Sequence, residues 1–467
     1  MLRILKQYYP VRNVVFVIGE GLMICASVLM ATWMVMGTEF IVSDLLLPLK
    51  VILIAATCQT CLYYNDLYDF RVTDTFLEFG LRLLQALGAA AIILAIIYLL
   101  FPIFIILKGI LIISIGFVIL LIISWRMCYT MILNKGLFDQ NIMILGSGSL
   151  ADRIIHEISD RKDCGYSISF VSLEAAEDEK IIKDLEQEVP CSNNKHKELD
   201  KTAQKLGIRR VVVAIKERRG GVFPTNELVK CRMEGIDVLE GNTFYERLTG
   251  KLDVEHINPG WLIFSGGFRK SWSKRTMKRI LDLLLALILQ VLVLPLMMFT
   301  AILIKFDSKG PVLFSQERVG EKRKPYKIYK FRSMKTDAEK VSGPVWAQAD
   351  DDRVTRVGHF IRKWRVDELP QLWNVIRGEM SFVGPRPERE FFVKGLEYII
   401  PYYGERFEVK PGLTGWAQVN YGYGASVEDA IEKLNYDMFY MKNMSILLDL
   451  VIVLRTVKTV LFGQGAR

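Results

Sequence analysis

Histidine is scarce in this chain: four residues in 467 (His156, His196, His256 and His359), too dispersed to suggest a zinc site. The seven cysteines are odd in number and scattered, so they supply no disulfide framework. The one Cys-x-x-Cys, Cys58 to Cys61, sits inside an apolar run, where an inert buried pair is a simpler reading than a redox motif. No internal repeat or low-complexity segment is present, which excludes repeat architectures. Acidic residues are missing from 267–279, a stretch that holds Arg269, Lys270, Lys274, Arg275, Lys278 and Arg279.

What is present is apolar and basic. Hydrophobic residues make up 51% of the chain and charged ones 24%, a mixture that suggests membrane segments joined to soluble parts. The net charge of +9 calls for an anionic partner; nucleic acid, anionic lipid and a phosphorylated substrate all fit that sign. Four apolar segments, about Val14–Met36, Leu46–Tyr64, Leu83–Phe101 and Ile105–Trp125, are each near the ~20 residues that cross a hydrocarbon core as helix. Arg3, Lys6, Arg12, Arg71, Arg82, Arg126 and Lys135 flank the ends that share one side, and only Lys50 and Lys108 fall on the other. The positive-inside rule then places both termini of this four-span bundle (1–130), and all that follows, in the cytoplasm.

Gly146-Ser147-Gly148-Ser149-Leu150-Ala151 follows the apolar strand Asn141–Leu145 and opens a helix containing Ile154, Ile155 and Ile158. With further strands at Val211–Ile215 and Val238-Leu239, this suggests a Rossmann-like α/β domain over 138–250, then a linker over 251–274. The glycine turn would suit a diphosphate at a helix N-terminus, or it belongs to a structural domain that keeps only the turn. The polar stretch Glu174–Asp200 reads as a loop.

The run Ile280–Ile304 is long enough to cross a membrane, yet cations precede it and Lys305, Lys309, Arg318 and Lys322–Lys324 follow it. Both ends therefore prefer the same side, and a re-entrant helix over 278–305, turning back at Pro295, satisfies both. Beyond it lies a basic catalytic candidate over 275–467, in which Phe391–Tyr403 and Ile446–Phe462 read as interfacial helices or core faces. Asp367-Glu368 sits among Arg362, Arg365 and, more distantly, Arg318, Lys330, Arg332 and Arg386. One carboxylate can attack phosphorus while its neighbour holds a divalent cation, and arginines bind the non-bridging oxygens. Taken alone, Asp-Glu-Leu-Pro-Gln also reads as a helix start, with acids in the first turn.

These residues closely resemble the bacterial polyprenyl-phosphate glycosyl-1-phosphate transferases, or monotopic phosphoglycosyl transferases. The resemblance rests on Lys278-Arg279-Ile280-Leu281-Asp282, Gly310–Phe314, Gln316–Gly320, Tyr329–Met334, Arg362 with Asp367–Gln371, Met380–Pro387 and Lys410–Asn420. The spans and Rossmann-like region look like the family's large form, and Glu255–Pro259 with Leu262–Phe264 resembles its exopolysaccharide branch. The resemblance implies a membrane protein of mixed α and α/β class that transfers sugar-1-phosphate from a UDP-sugar to polyprenyl (undecaprenyl) phosphate, releasing UMP. It further implies Asp367 as nucleophile, Glu368 with Asp367 as ligands of Mg²⁺, and Arg362 and Arg386 at the phosphates. Lys278, Arg279, Asp282 and Pro295 would belong to the membrane hairpin, and the active site would face the cytoplasm at a bacterial inner membrane. Membrane lipid and a second copy in a homodimer are the other implied partners; nucleic acid is not one. Two departures stand out: Leu294-Pro295 replaces the Ser-Pro of several members, and Tyr421-Gly422 replaces the Gly-Arg that often follows Gln-Val-Asn. Two other readings are an NAD-dependent nucleotide-sugar dehydratase, against which no Tyr-xxx-Lys pair occurs in the Rossmann-like region, and a silent scaffold, which leaves the two acids without a role.

Overall fold

The computed structural model describes residues 2–4, 7–9, 11–68, 76–106, 109–136, 139–146, 148–161, 163–172, 191–192, 199–215, 223–257, 259–268, 270–335, 353–422, 424 and 426–461. Lys6, Arg71, Lys108, Ser147, Arg269, Tyr423 and most of the polar stretch from Glu174 lie outside them. The chain divides into two compact units at Gly241 and Asn242.

The first unit opens with the short strands β1 (Leu2–Ile4) and β2 (Gln7–Tyr9), followed by four long helices. These are α1 (Val11–Ser43), α2 (Leu47–Tyr64), α3 (Phe76–Leu100) and α4 (Ile110–Asn134), and all four are long and apolar enough to span a bilayer. Helix α1 breaks near its end at Gly37, whose φ of +76° suits a residue without Cβ. Ile24, Val28, Leu62, Ala86 and Ile122 form the bundle interior. Leu22, Ile52, Ile92 and Ile112 point outward, so the helices are apolar on every face, as lipid-embedded helices are. Cys58 and Cys61 are buried free thiols. Arg126, expected as a flanking charge, is buried instead: its Nε lies 2.8 Å from Glu20 and its Nη1 donates to the Leu67 carbonyl at 2.6 Å. On the opposite side Lys50 pairs with Asp44 at 2.7 Å, which cancels its charge there.

The α/β part of this unit is a five-stranded parallel sheet, order β5-β4-β3-β6-β7. Its strands are β3 (Gln140–Leu145), β4 (Tyr166–Ser172), β5 (Cys191–Ser192), β6 (Arg210–Val213) and β7 (Asp237–Glu240), with helices α5 (Ser149–Ser159), α6 (Leu199–Lys205) and α7 (Thr225–Met233) between them. Starting centrally and adding strands outward on each side is the doubly wound pattern. Gly146 has φ +113°, and a Cβ there would lie 2.8 Å from the Ala214 carbonyl carbon and oxygen. Close packing after β6 thus accounts for this glycine without a ligand.

The second unit begins earlier than the sequence suggested. Helix α8 (Gly241–Thr249), read with the Rossmann-like region, packs with the C-terminal residues: Glu246 binds Lys442 at 2.6 Å and Asn443 at 2.8 Å. The supposed linker is core. Leu252, Val254, Ile257 and Trp261, the last on α9 (Pro259–Phe264), join the same buried cluster as Leu372, Val383 and Phe439. Their backbone is pinned as well, with Leu252 N donating to the Asn435 carbonyl and Val254 N to its Oδ1.

Helix α10 (Trp272–Asp307) follows, 36 residues long with Pro295 inside and no intervening loop. Its first half is tied down by charge. Arg279 donates to the last carbonyls of a short helix, Val375 at 2.6 Å and Ile376 at 2.8 Å, the usual place for a cation on a helix C-terminus. Asp282 accepts from Ser381 Oγ and Phe382 N, and Lys278 reaches the Val383 carbonyl and Asp449. Its second half packs Met297, Ala301 and Ile304 on Phe331 and Ile361 of the same unit. The remaining elements are the antiparallel pair β8 (Leu313–Val319) and β9 (Pro325–Phe331), α11 (Arg356–Lys363), α12 (Leu372–Arg377), β10 (Ser381–Val383), α13 (Glu390–Ile399), β11 (Gly412–Thr414), α14 (Trp416–Asn420), α15 (Val427–Asn443) and α16 (Ile446–Leu461). β10 and β11 pair in parallel.

Candidate active site

Asp367 and Glu368 lie in a 3-10 turn, Val366–Gln371, that runs into α12. They stand in the first turn of this helical segment, as the helix-start reading expects, but give no side-chain cap bond to α12, whose N-cap is Gln371. Arg365 precedes them with φ +52°, an unusual conformation for a residue with a Cβ, and its carbonyl accepts from Glu368 N at 3.1 Å. Both acids are buried, at 8% and 7% exposure.

Burial alone would neutralise two adjacent carboxylates, so the cations decide which of them ionises. Glu368 Oε1 lies 3.0 Å from Lys330 and 2.7 Å from Arg386, and Oε2 lies 3.5 Å from Arg365. Burial opposes its ionisation, but Arg386, Lys330 and Arg365 together outweigh that and hold it well below the usual range. Asp367 goes the other way. Burial lifts it to about 6, aided by the neighbouring Glu368 charge and opposed by Lys330, Arg362 and Arg386. Environments that push two adjacent acids apart in this way are typical of groups with different chemical tasks. Four cations act on two carboxylates, so the site keeps a positive excess that an anion would satisfy.

Each cation is delivered by a different element: Arg362 by α11, Lys330 by β9 and Arg386 by the turn after β10. Asn374, fully buried on α12, ties the dyad's segment to β9 by accepting from Tyr329 N at 3.2 Å and donating to the Lys327 carbonyl at 2.7 Å. The other nominated arginines have other partners. Arg332 donates to Ser308, both carbonyl (2.7 Å) and hydroxyl (2.8 Å), at the end of α10. Arg318 donates to the Pro387 carbonyl at 3.3 Å and to Gln316 at 2.8 Å. Lys278, Arg279 and Asp282 serve to anchor α10. Asn374, Arg406 and Asp437 went unnoticed in the sequence; the detectable signal was a polar residue inside an apolar run, as in Leu434–Tyr440.

The chemistry of the donor set suits a hard cation. Two adjacent carboxylates offer oxygens only, which fits Mg²⁺ held jointly with substrate phosphates rather than in a protein cage. With Glu368 already engaged by three cations, the negative charge of a diphosphate is what would let a further cation enter.

The profile of the bacterial sugar transferase family matches residues 273–463, which contain all of these groups. Among known proteins, the UDP-N-acetylgalactosamine-undecaprenyl-phosphate N-acetylgalactosaminephosphotransferase of Aeromonas hydrophila is 45% identical over 240 residues, 51% of this chain and 56% of its own. The undecaprenyl-phosphate glucose phosphotransferase of Komagataeibacter xylinus is 41% identical over 194 residues, 40% of this chain and 36% of its own. The exopolysaccharide production protein PSS of Rhizobium leguminosarum bv. phaseoli is 41% identical over 195 residues, 40% of this chain and 98% of its own. The chain thus spans about half the length of the Aeromonas relative and about a third of that from Komagataeibacter, but nearly all of the Rhizobium one. With five membrane-length apolar helices among the described residues and a dyad lying wholly inside the matched segment, the chain is membrane-associated and belongs to the bacterial sugar transferase family, the polyprenyl-phosphate glycosyl-1-phosphate transferases.

Proposed function

We propose that this protein transfers sugar-1-phosphate from a UDP-sugar to undecaprenyl phosphate, with release of UMP, and so starts a membrane-bound glycan. The observation that carries the reading is the split dyad: a buried Asp367 near neutrality beside a Glu368 fixed as an anion by three cations. Asp367 Oδ attacks the sugar-bearing phosphorus, the bond to the UMP oxygen breaks, and an aspartyl sugar-phosphate forms. An oxygen of the lipid phosphate then attacks that phosphorus, and the aspartate leaves as carboxylate. Lys330, Arg362 and Arg386 stabilise charge on the transferring group through fixed donors. Glu368 and Asp367 would hold Mg²⁺, which when bound supplies charge neutralisation on the diphosphate.

The donor we favour is UDP-N-acetylgalactosamine. The Aeromonas alignment covers half of this chain and so extends past the family segment, whereas that to the glucose enzyme does not exceed 40%. We place the enzyme in the bacterial inner membrane as a homodimer, with the catalytic unit on the cytoplasmic face and α10 as a re-entrant helix. Support for re-entry is that both halves of α10 pack on one small unit. A straight helix would hold Arg279 and Ser308 about 43 Å apart.

The test is UMP release from a panel of UDP-sugars with undecaprenyl phosphate and Mg²⁺. Release is expected with N-acetylgalactosamine, and Asp367→Asn should lower it by about 10⁴-fold or more. Full turnover by that variant would remove Asp367 as nucleophile. Release with glucose alone would keep the reaction and overturn the donor.

A further inference from the structure

Arg386 touches Glu368 through a side chain with four rotatable bonds, so its aim depends on how firmly its backbone is held. The turn that carries it is gripped at every carbonyl. Pro385 O accepts from Gly412 N at 2.8 Å, Arg386 O from Arg406 Nη2 at 3.1 Å, Pro387 O from Arg318 Nη1 at 3.3 Å and Glu388 O from Val319 N at 3.0 Å. Four consecutive carbonyls are thus bound from three separate segments, two of them by adjacent residues of β8. The grip on Arg386 itself differs from the others because it comes from a buried ion pair.

Arg406 and Asp437 are 6% and 2% exposed and meet at 3.0 Å. The same Nη2 that reaches Asp437 also reaches Arg386 O, while Nη1 donates to Tyr403 Oη at 2.6 Å. The guanidinium lies over the Tyr403 ring, 5.1 Å from its centroid. A buried ion pair rarely adds net stability over an apolar replacement of the same shape. What this one does supply is a rigid fork with donors in fixed directions, which a lysine could not reproduce.

We propose that Arg406, oriented by Asp437 and Tyr403, is a positioning residue that fixes the Arg386 backbone so that the Arg386 guanidinium stays on Glu368 and on an incoming diphosphate. The proposal rests on the functional reading above, and it concerns neither a substrate contact nor a proton. Misplacement of a charged donor by about 1 Å is enough to cost about a hundredfold in rate.

A double-mutant cycle on the full-length enzyme tests it, with Arg406→Lys, Arg386→Ala and the double variant. Each is assayed below its melting temperature for UMP release and, separately, for the dissociation constant of UDP. Arg406→Lys should lower kcat/KM about tenfold in the wild-type background and less than about twofold once Arg386 is gone. UDP affinity should show the same non-additivity. A merely structural role would lower both backgrounds equally, and that additive result overturns the proposal. If Arg406→Lys does not fold, Tyr403→Phe, which removes only one acceptor of the fork, takes its place in the cycle. A wild type that binds UDP without turning over would refute the reaction while the binding cycle still decides this inference; one that does neither refutes both.

Discussion

A single carboxylate sets the pH behaviour of this site. As the proposed nucleophile, Asp367 would attack in its ionised form, and its burial places that ionisation at about 6 instead of the ordinary 3.8. Since kcat/KM reports the free enzyme, it should be level above neutrality and fall about tenfold per pH unit below about 6. An acid limb near 4 in the pH–rate profile would refute that environment. The same shift acts on stability with a definite sign. A carboxyl whose folded pKa is raised favours the folded state below its unfolded pKa, and that contribution is lost as pH rises through about 6. At neutral pH the ionised Asp367 is therefore a liability to the fold. Asp367→Asn is expected to melt several degrees above wild type at pH 7.5 in a thermal scan, with the difference shrinking towards pH 5. A variant that melts lower at pH 7.5 would show that the ionised Asp367 stabilises the fold.

Among the elements, the segment 242–272 matters most for how the catalytic unit is defined. The family segment begins at residue 273, yet Leu252, Val254, Ile257 and Trp261 lie in the core that surrounds the dyad's helix. At about 1.5–3 kcal/mol per buried side chain, the four together contribute roughly 6–12 kcal/mol, comparable to the whole stability of a typical domain. A chain starting at Asn242 should therefore purify folded and release UMP, whereas one starting at Trp272 should aggregate or melt far lower. Equal melting of the two by light scattering and circular dichroism would overturn this boundary. The sequence misses it for a physical reason: Leu252 and Val254 find their partner in Asn435, some 180 positions away, and no local pattern records such a contact. The long apolar helices and β3 were legible because periodicity and length are local. β4 was legible too, since Tyr166 and Ile168 alternate with serines, but it was not read. At the site, motif spacing led to Asp367, Glu368, Lys330, Arg362 and Arg386. It could not distinguish arginines aimed at the dyad from Arg318 and Arg332, which brace backbone, because the difference lies only in which way each side chain turns.

For the molecule as a whole, the path of α10 decides where the chemistry happens. Thirty-six helical residues would measure about 54 Å if straight, well beyond the ~30 Å hydrocarbon core. A straight span would also carry Lys305 and Lys309 to the side opposite Lys274, Arg275, Lys278 and Arg279, against the preference of cations for the cytoplasm. Pro295 removes the donor that would close a bond to the Val291 carbonyl, giving the helix a place to bend without a loop. The proposed bend there would let Ile304 pack on Phe331 and Ile361 while Arg279 stays on α12. Single cysteines introduced as Ser273→Cys and Lys309→Cys, in a background lacking the native seven, should both react with an impermeant maleimide in inverted vesicles. Ser43→Cys, at the end of α1 beside the connection to α2, should react only from the other face. Labelling of Ser273→Cys and Lys309→Cys from opposite faces would make α10 a plain span and would remove the re-entrant, cytoplasmic placement of the active site.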